Sequence, residues 1–267
     1  MKNIFLSTPL ILFVTLNLSA QTTPEKKETR KPDIAAVTVA TPQTADEVVK
    51  KYILAMGGEE KLKSISTMKT SMKIKLQFFE LPVNAVTQRD GSMKTETIFQ
   101  GLTMVQAYDA ESKTGWSINP MQGDKKAHKM NDEQLQQLTE NDMIESPLID
   151  YKKKGHTLEL LGKEDLDGDE VFKLMLTKKN GNIVYYYIDT QTFVIWKQES
   201  RFKFKDKEAE SETYYSNYKT INGFTAPYTI ENYDDGKVTM QMNIDKIEYN
   251  APVEKASFKI PVEEPAK

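Results

Sequence analysis

Apolar and polar residues alternate with a period of two along most of the chain between Met68 and Tyr249. The clearest run is 68–78, where even positions are apolar or β-favouring and odd positions carry lysine, serine or glutamine. The same alternation returns in 194–204 and 237–244. A period of two puts alternate side chains on a dry and a wet face, so these segments predict half-buried antiparallel strands rather than central strands of a parallel sheet.

Turn signals divide the alternating region into about ten or eleven strands joined as hairpins. Four Asn-Gly or Asp-Gly pairs tolerate the positive φ angles of tight turns: Asp167-Gly168, Asn180-Gly181, Asn222-Gly223 and Asp235-Gly236. The predicted strands cover 67–80, 83–98, 101–109, 113–118, 157–164, 170–178, 182–189, 193–205, 209–218, 225–235 and 237–249.

Helix signals are confined to two regions. Thr44 and Glu47 form a capping box before an apolar stripe over 48–56, and Gly57-Gly58 ends that helix. A short helical turn is predicted over 59–64.

The second helical region runs from Asn131 to Ile149. Asn131 and Gln134 form another capping pair, and Leu135 and Leu138 give the following helix a narrow apolar edge. Because so few apolar side chains would hold this segment, we interpret it as a lid that opens at low cost.

A large sheet with little helix predicts a mainly β, α+β fold. Strand twist accumulates across a sheet of this size, so it curls or splits. We therefore expect a strongly curved antiparallel half-barrel of about ten or eleven strands, with helices covering its concave face and a hollow interior. A fully packed sandwich or barrel is the competing interpretation.

The chain is expected to begin with a signal peptide over residues 1–20, cleaved after Ala20. A flexible leader would follow over 21–43, then a single domain over 44–261 and a C-terminal tail over 262–267. The chain has no cysteine, which excludes disulfides, cysteine-ligated metals and bacterial-type N-terminal lipidation. The prediction is an exported periplasmic protein that is not lipidated.

Composition and motifs disfavour several functions. The net charge of −3 lacks the basic surplus of nucleic-acid binders. His128 and His156 have no metal-ligand spacing, and the glycine among Asp165, Asp167 and Asp169 is misplaced for a calcium loop. No Gly-x-Ser-x-Gly elbow is present, so we expect no enzymatic activity, metal or cofactor, with an exported hydrolase as a remaining alternative.

The tyrosine-rich segments 185–187 and 214–218 allow two interpretations. They form either a stacking platform for sugars or bases or, as is usual for such strands, cross-strand packing.

The dry face of the sheet is the candidate ligand surface, because methionine side chains adapt to acyl chains of differing shape. Ordinary core packing is the alternative for any single residue. The predicted acyl-cavity residues are Met68, Met72, Ile74, Leu76, Phe78, Met104, Met175, Trp196, Phe202, Met240 and Met242.

Five pieces of the sequence, taken in order, resemble the LolA-like family of outer-membrane lipoprotein-sorting proteins, in the larger form seen in Bacteroidetes-type bacteria. They are Tyr52-x-x-Ala55-x-Gly57-Gly58-x-x-x-Leu62-x-x-Ile65, Asp109 to Trp116 with Pro120 after it, Tyr186-Tyr187-Ile188-Asp189, Asn222-Gly223-Phe224-x-x-Pro227 and Phe258-x-x-Pro261. The resemblance covers most of residues 44–261.

The resemblance implies a half-barrel with a helical lid that carries lipoprotein acyl chains across the periplasm. In that family an arginine after the second strand is linked to lid closure and cargo release, and Arg89 stands close to that place. The family's Asp-Gly-x-x-x-Trp segment departs here, since Ala110 follows Asp109. We assign three residues to the lid and the release mechanism: Arg89, Leu135 and Leu138.

The predicted function is a carrier, a chaperone-like monomer that takes lipoproteins or lipids from an inner-membrane donor to an outer-membrane acceptor without covalent chemistry. The family's outer-membrane receptor needs an anchoring cysteine, which this chain lacks, so it resembles the soluble shuttle. A sensor of lipid or lipoprotein on the same scaffold is the alternative.

Overall fold

The structure is a computed structural model that describes residues 42–123, 125–139, 144–204 and 207–261. The predicted signal peptide 1–20, the leader up to residue 41 and the tail 262–267 lie outside the described residues. The side chains of residues 202–208, including Phe202, are also outside the description.

The described residues form three α-helices, thirteen β-strands and two 3-10 turns. The helices are α1 Ala45–Ala55, α2 Glu59–Lys63 and α3 Asp132–Thr139, and the 3-10 turns span Pro120–Gln122 and Lys255–Phe258. The strands are β1 Thr67–Leu76, β2 Phe79–Gln88, β3 Met93–Phe99, β4 Leu102–Asp109, β5 Thr114–Ile118, β6 His128–Lys129, β7 Thr157–Leu166, β8 Asp169–Thr177, β9 Ile183–Asp189, β10 Ile195–Phe204, β11 Lys207–Ile221, β12 Phe224–Asp234 and β13 Lys237–Tyr249.

The strands follow the order β6-β5-β4-β3-β2-β1-β13-β12-β11-β10-β9-β8-β7 in one sheet. Chain neighbours are sheet neighbours almost throughout, as hairpin connections require. This order confirms the prediction of a mainly β, antiparallel protein with little helix.

The predicted number of strands is wrong for a local reason. The segment expected as one strand over 83–98 is divided between β2 and β3 by a turn at Asp90-Gly91. Gly91 has a φ of 95°, and the Asp90 carboxylate accepts a hydrogen bond from the Ser92 amide at 2.8 Å. The short strand β6 is the other addition.

The described residues divide into two compact units, each made of two stretches of chain. The α1 unit comprises 42–62 and 147–242, and the α3 unit comprises 63–146 and 243–261. Strand β13 contributes residues to both units, since the division falls after Met242. The single domain over 44–261 stays a prediction.

Helix α1 supplies one side of the core of the α1 unit. Its capping box is formed as predicted, with the Glu47 amide donating to Thr44 Oγ1 at 3.2 Å and the Thr44 amide donating to Glu47 Oε2 at 3.2 Å. The apolar stripe then packs on the sheet. The core consists of Val48, Val49, Tyr52, Leu148, Tyr151, Phe172, Leu174, Leu176, Val184, Tyr186, Ile188, Phe193 and Ile195.

The α1 helix ends where its backbone approaches another turn of the same unit. Gly57 has a φ of 125°, and a Cβ placed on it would collide with the Gly223 carbonyl oxygen. The Thr225 amide also donates to the Met56 carbonyl at 3.1 Å. Only glycine fits position 57, both for its backbone angle and for this close approach.

In the α3 unit, one face of β4 and β5 is covered by the C-terminal 3-10 turn. Val105, Ala107 and Trp116 form a small buried cluster there. The Trp116 Nε1 donates to the carbonyl of the buried Phe258 at 2.7 Å. This contact leaves the opposite face of the same strands for α3.

Candidate functional site

A row of buried side chains crosses four strands of the α3 unit. Met72 lies opposite Val83, Val83 opposite Thr97, and Thr97 opposite Met104. All four are buried. The row therefore has a flexible thioether at each end, the side chain that best fits irregular apolar shapes.

Neighbouring cross-strand pairs extend this buried surface, which we call the methionine face. It consists of Thr70, Met72, Ile74, Leu81, Val83, Ala85, Met93, Thr95, Thr97 and Met104, all buried. The strand register places them on one face of β1–β4. The sequence-based prediction of the cavity includes none of these threonines, because they are not apolar, although they keep the period of two that marks the methionine face.

Helix α3 lies on the side of the sheet to which the methionine face belongs. Gly115 of β5 is opposite Tyr108 of β4, and Tyr108 shares its face with Met104 because they are four residues apart. A Cβ on Gly115 would lie 2.9 Å from Leu135 Cδ1 and 2.9 Å from Met130 Sδ. The absence of a side chain at Gly115 lets the predicted lid rest on β5.

The lid helix is well capped but weakly buried. The Gln134 amide donates to Asn131 Oδ1 at 2.8 Å, and the Asn131 amide donates to Gln134 Oε1 at 3.0 Å, so the predicted capping pair is formed. Leu135 and Leu138 are only half-buried. Local hydrogen bonds define this helix more than its packing does.

Arg89 connects the end of β2 to the predicted lid segment. Its Nε donates to the Ile65 carbonyl at 2.5 Å, and its Nη1 lies 3.2 Å from Glu145 Oε1. Glu145 falls within the segment from Asn131 to Ile149 that the sequence predicts as a lid. No local sequence pattern marks Glu145, because its contact with Arg89 joins residues 56 positions apart in the chain.

The remaining predicted acyl-cavity residues lie in several places. Met68 and Leu76 are half-buried on β1, and Phe78 is 58% exposed in the turn after it. Met240 and Met242 are buried on the stretch of β13 that belongs to the α1 unit. Of the predicted residues, the structure brings the buried Met72, Ile74 and Met104 together on the methionine face, with the half-buried Met68 and Leu76 on the same side of β1.

Met175 and Trp196 of the α1 unit depart from the expected arrangement. Met175 is opposite Glu159 and Tyr185, so it lies on the face of β8 away from the Leu174 core. Trp196 sits at a β-bulge, half-buried, and its buried Nε1 has no hydrogen-bond partner among the described residues.

A polar row continues the buried face of the α1 unit. Tyr186 is opposite Gln198, Gln198 opposite Thr213, and Thr213 opposite Asn232. Thr213 Oγ1 donates to Asn232 Oδ1 at 3.0 Å, and Tyr215 Oη donates to Gln198 Oε1 at 3.2 Å. Burial raises the pKa of Tyr186 and of Tyr215, so both hydroxyls stay protonated near neutral pH.

The other face of the same strands carries a lysine between aromatic rings. Lys197 Nζ lies 2.6 Å from Glu199 Oε1 and 5.3 Å from the ring centroids of both Tyr187 and Tyr214. Burial is the largest influence on the pKa of Lys197 and lowers it, but the hydrogen bond with Glu199 and the charges of nearby groups together outweigh burial and leave that pKa above its usual value. Burial likewise raises the pKa of Glu199, but its hydrogen bonds with Lys197 and Tyr187 and the positive charge of Lys197 together lower it overall. Both groups stay charged, which suits neither for acid–base catalysis near neutral pH.

The consecutive tyrosines therefore point to opposite faces of the sheet. Tyr185 and Tyr187 contact cations on one side, while Tyr186 belongs to the core on the other. This division favours cross-strand packing over a single stacking platform.

Two further findings concern metals and membranes. Within the part of the chain that the structure describes, no group of three or more histidine, cysteine, aspartate or glutamate residues is placed to hold a metal ion. Among the described helices, none combines the length and the apolar character needed to cross a bilayer.

Three solved structures resemble this one, although their sequence identity to this chain is low. A DUF1329 family protein from Desulfovibrio piger matches with a TM-score of 0.55 at 10% identity, covering 80% of this chain and 96% of its own. A domain assigned to outer membrane lipoprotein sorting, from Vibrio parahaemolyticus, matches with a TM-score of 0.53 at 14% identity, covering 79% and 94%. A LolA superfamily protein from Nitrosomonas europaea matches with a TM-score of 0.52 at 12% identity, covering 82% and 98%.

The chain has a LolA-like fold. The resemblance inferred from the sequence is thereby confirmed at the level of the fold. No protein-family model matches the sequence, and no curated protein matches it. In this LolA-like fold Arg89 directly follows the second strand, as the resemblance implied.

Proposed function

We propose that the chain is a periplasmic carrier that binds acyl chains of lipoproteins or lipids and delivers them to the outer membrane without covalent chemistry. The buried methionine row on the face where α3 rests, within a LolA-like fold, is the observation that carries this proposal. The proposal includes the curved half-barrel, with helices over its concave face, that the sequence predicts. Each methylene of a buried acyl chain contributes about 0.8 kcal/mol, so binding needs no polar contact.

Release would follow from the way α3 is held. Leu135 rests on a glycine and Arg89 pairs with Glu145, so the contacts that opening breaks include a small apolar contact and a partly exposed ion pair. Such contacts are individually weak. In the proposed function, a monomeric carrier takes cargo from an inner-membrane donor and transfers it to an outer-membrane acceptor. This requires a lid that opens at a low cost in free energy.

The binding surface is tested by placing an amide on the methionine face and, as a control, on a strand of the α1 unit. Met104→Asn puts a polar group on the methionine face, whereas Met175→Asn puts it on the side of β8 away from the Leu174 core. We expect Met104→Asn to weaken binding of a fluorescent fatty acid by about tenfold, the cost of burying an amide beside hydrocarbon, and Met175→Asn to leave it unchanged.

Unfolding in urea establishes that each of these variants is folded, and Met104→Leu serves as the conservative substitution. Equal binding by Met104→Asn and the natural protein, or an equal loss in Met175→Asn, would contradict the assignment of the cavity. Lipids co-purified with the natural protein and identified by mass spectrometry would name the cargo class.

The lid is tested by tethering it. The chain has no cysteine, so Gly115→Cys with Leu135→Cys introduces the only pair, where Leu135 already reaches β5. We expect the oxidised form to retain bound lipoprotein and the reduced form to transfer it to acceptor membranes. Transfer at the same rate in both forms would remove the lid from the mechanism.

A control disulfide uses Ser71 and Asn84, which are opposite each other on β1 and β2 and whose side chains are hydrogen-bonded at 2.8 Å. This bridge leaves α3 untouched, so oxidation should not change transfer. Retained binding with no transfer to acceptor membranes by the natural protein would favour the lipid sensor instead.

A further inference from the structure

The hairpin between β1 and β2 ends in exposed aromatic side chains. Leu76 is opposite Phe79, so Gln77 and Phe78 form the turn. Phe78 is 58% exposed and Phe79 is 36% exposed. A tight turn is normally occupied by small or polar residues, so phenylalanine here has no evident folding role.

The hairpin between β3 and β4 ends in a similar way. Phe99 is opposite Leu102, and the turn residues Gln100 and Gly101 have φ angles of 49° and 76°. Ile98, just before the turn, is 47% exposed. The positive φ angles hold a tight hairpin that projects its flanking side chains.

The two tips lie side by side because β2 and β3 are paired. The rings of Phe79 and Phe99 meet edge to face, with centroids 5.3 Å apart. We call Phe78, Phe79, Ile98 and Phe99 the aromatic tip.

No charged residue lies within 76–79 or 97–108, the segments that form the aromatic tip. Of the flanking charges, Lys75 is exposed, Lys73 pairs with Glu80 at 3.6 Å, and Glu96, on the same side of β3 as Ile98, pairs with Lys94 at 2.7 Å. An apolar end bordered by a lysine is the pattern of a segment that enters the interfacial region of a bilayer.

We propose that the aromatic tip docks this protein onto the surface of a lipid bilayer. A lasting protein partner buries about 800 Å² on each side, which requires far more residues than these four. A bilayer accepts a small convex apolar tip directly, since each inserted side chain is transferred into hydrocarbon independently. Single exposed apolar residues are ordinary on protein surfaces, but four of them at two adjoining hairpin tips are not.

Another hairpin of the chain offers a matched control. Val238 is 49% exposed near the turn between β12 and β13, a turn flanked by Asp234, Asp235 and Lys237. Its exposure is close to the 47% of Ile98, but the charges around it disfavour insertion into hydrocarbon.

The test is flotation of cargo-free protein with phosphatidylcholine vesicles and with vesicles that also contain phosphatidylglycerol. We expect the natural protein to float with both, and Phe78→Ser with Ile98→Ser to reduce the bound fraction by about tenfold, since two inserted side chains are lost. Val238→Ser should bind like the natural protein. Because these side chains are exposed, all variants should unfold at the same urea concentration.

Insertion itself is measured with a Phe78→Trp variant in which Trp116 and Trp196 are replaced by phenylalanine. The fluorescence of the single tryptophan, at position 78, should then be quenched by brominated lipid. Absent flotation of the natural protein, unchanged flotation of the double serine variant or an equal loss in Val238→Ser would overturn the proposal. So would a change from dimer to monomer in the double variant without vesicle binding, because the tip would then contact a second copy. Fatty-acid binding is measured separately, so failure here leaves the carrier proposal standing.

Discussion

Helix α1 and helix α3 both lie against sheet, each in its own unit, but they are held in different ways. Helix α1 buries Val48, Val49 and Tyr52 in a large apolar core. Helix α3 has no fully buried residue among its described side chains, and its Leu135 rests on the backbone of Gly115. Both helices carry a complete capping arrangement at the start.

This contrast separates what forms a helix from what fixes it in place. Caps stabilise each helix by satisfying its first amides, yet they contribute nothing to docking. Docking depends on the buried apolar area, which is large for α1 and small for α3. Under the proposed function, α1 is a permanent part of the core and α3 is the element that opens.

The largest effect that tests this contrast is on stability. We expect Tyr52→Ala to lower the free energy of unfolding by about 3–5 kcal/mol, the usual cost of removing a buried aromatic side chain. Leu135→Ala should cost about 1 kcal/mol or less, since this side chain is only half-buried. Urea denaturation of both variants provides the comparison.

Leu54 gives the matched control on α1, because it is 63% exposed on the same helix as Tyr52. Leu54→Ala should change stability by no more than about 0.5 kcal/mol. If Leu135→Ala destabilises as much as Tyr52→Ala, α3 is a core helix and the comparison fails.

The elements themselves could be predicted because their signals are local. Both capping pairs and the ends of α1 follow from side chains within a few residues of each other, and the period of two marks the strands. Asp90-Gly91 is the same kind of turn signal as the four Asn-Gly and Asp-Gly pairs that predict the other hairpins. The alternation continues on both sides of it, however, so the break between β2 and β3 was not predicted.

The site was less predictable, because it depends on which side of its strand each residue lies and on contacts between residues far apart in the chain. Strand β8 has apolar residues on both sides, Val171 and Met175 on one and Phe172, Leu174 and Leu176 on the other, so alternation alone could not assign Met175 to the dry or the wet side. The contact of Arg89 with Glu145 joins residues 56 positions apart and follows only from the tertiary structure. The acyl cavity and the release role of Arg89 stay predictions.

A smaller effect is expected when the ion pair at the lid is removed. Glu145→Gln keeps the shape of the side chain but loses the charge opposite Arg89, and a partly exposed pair of this kind contributes about 0.2–1 kcal/mol. We therefore expect fatty-acid release to accelerate by about twofold to fivefold, measured by stopped-flow transfer to vesicles. High salt should accelerate release of the natural protein and have little effect on the variant.

As a matched control, Glu80→Gln removes an ion pair of the same unit that joins β1 and β2, the pair between Glu80 and Lys73. Release from this variant should equal that of the natural protein. Unchanged release in Glu145→Gln would mean that the ion pair between Arg89 and Glu145 does not hold the lid.

The smallest effect concerns the polar attachment of α1 in its first turn. Asp46 in its first turn accepts hydrogen bonds from Lys152 Nζ at 2.7 Å and from Tyr151 Oη at 2.6 Å. These bonds, the one from Lys152 first, lower the pKa of Asp46 below its usual 3.8. A carboxylate with a lowered pKa in the folded state stabilises the fold above its unfolded pKa, and this contribution disappears as the pH falls through the folded pKa.

We therefore expect Asp46→Asn to lower stability slightly at pH 7, with the difference from the natural protein shrinking once the pH falls below 3.8. The effect is small because Asp46 and Lys152 are well exposed and water screens their charges. Urea midpoints between neutral and acid pH measure it, and Lys152→Met should not add to it, since both changes break the same pair. A difference that persists unchanged in acid would show that Asp46 acts through its shape and not its charge, which would leave the buried stripe alone to fix α1.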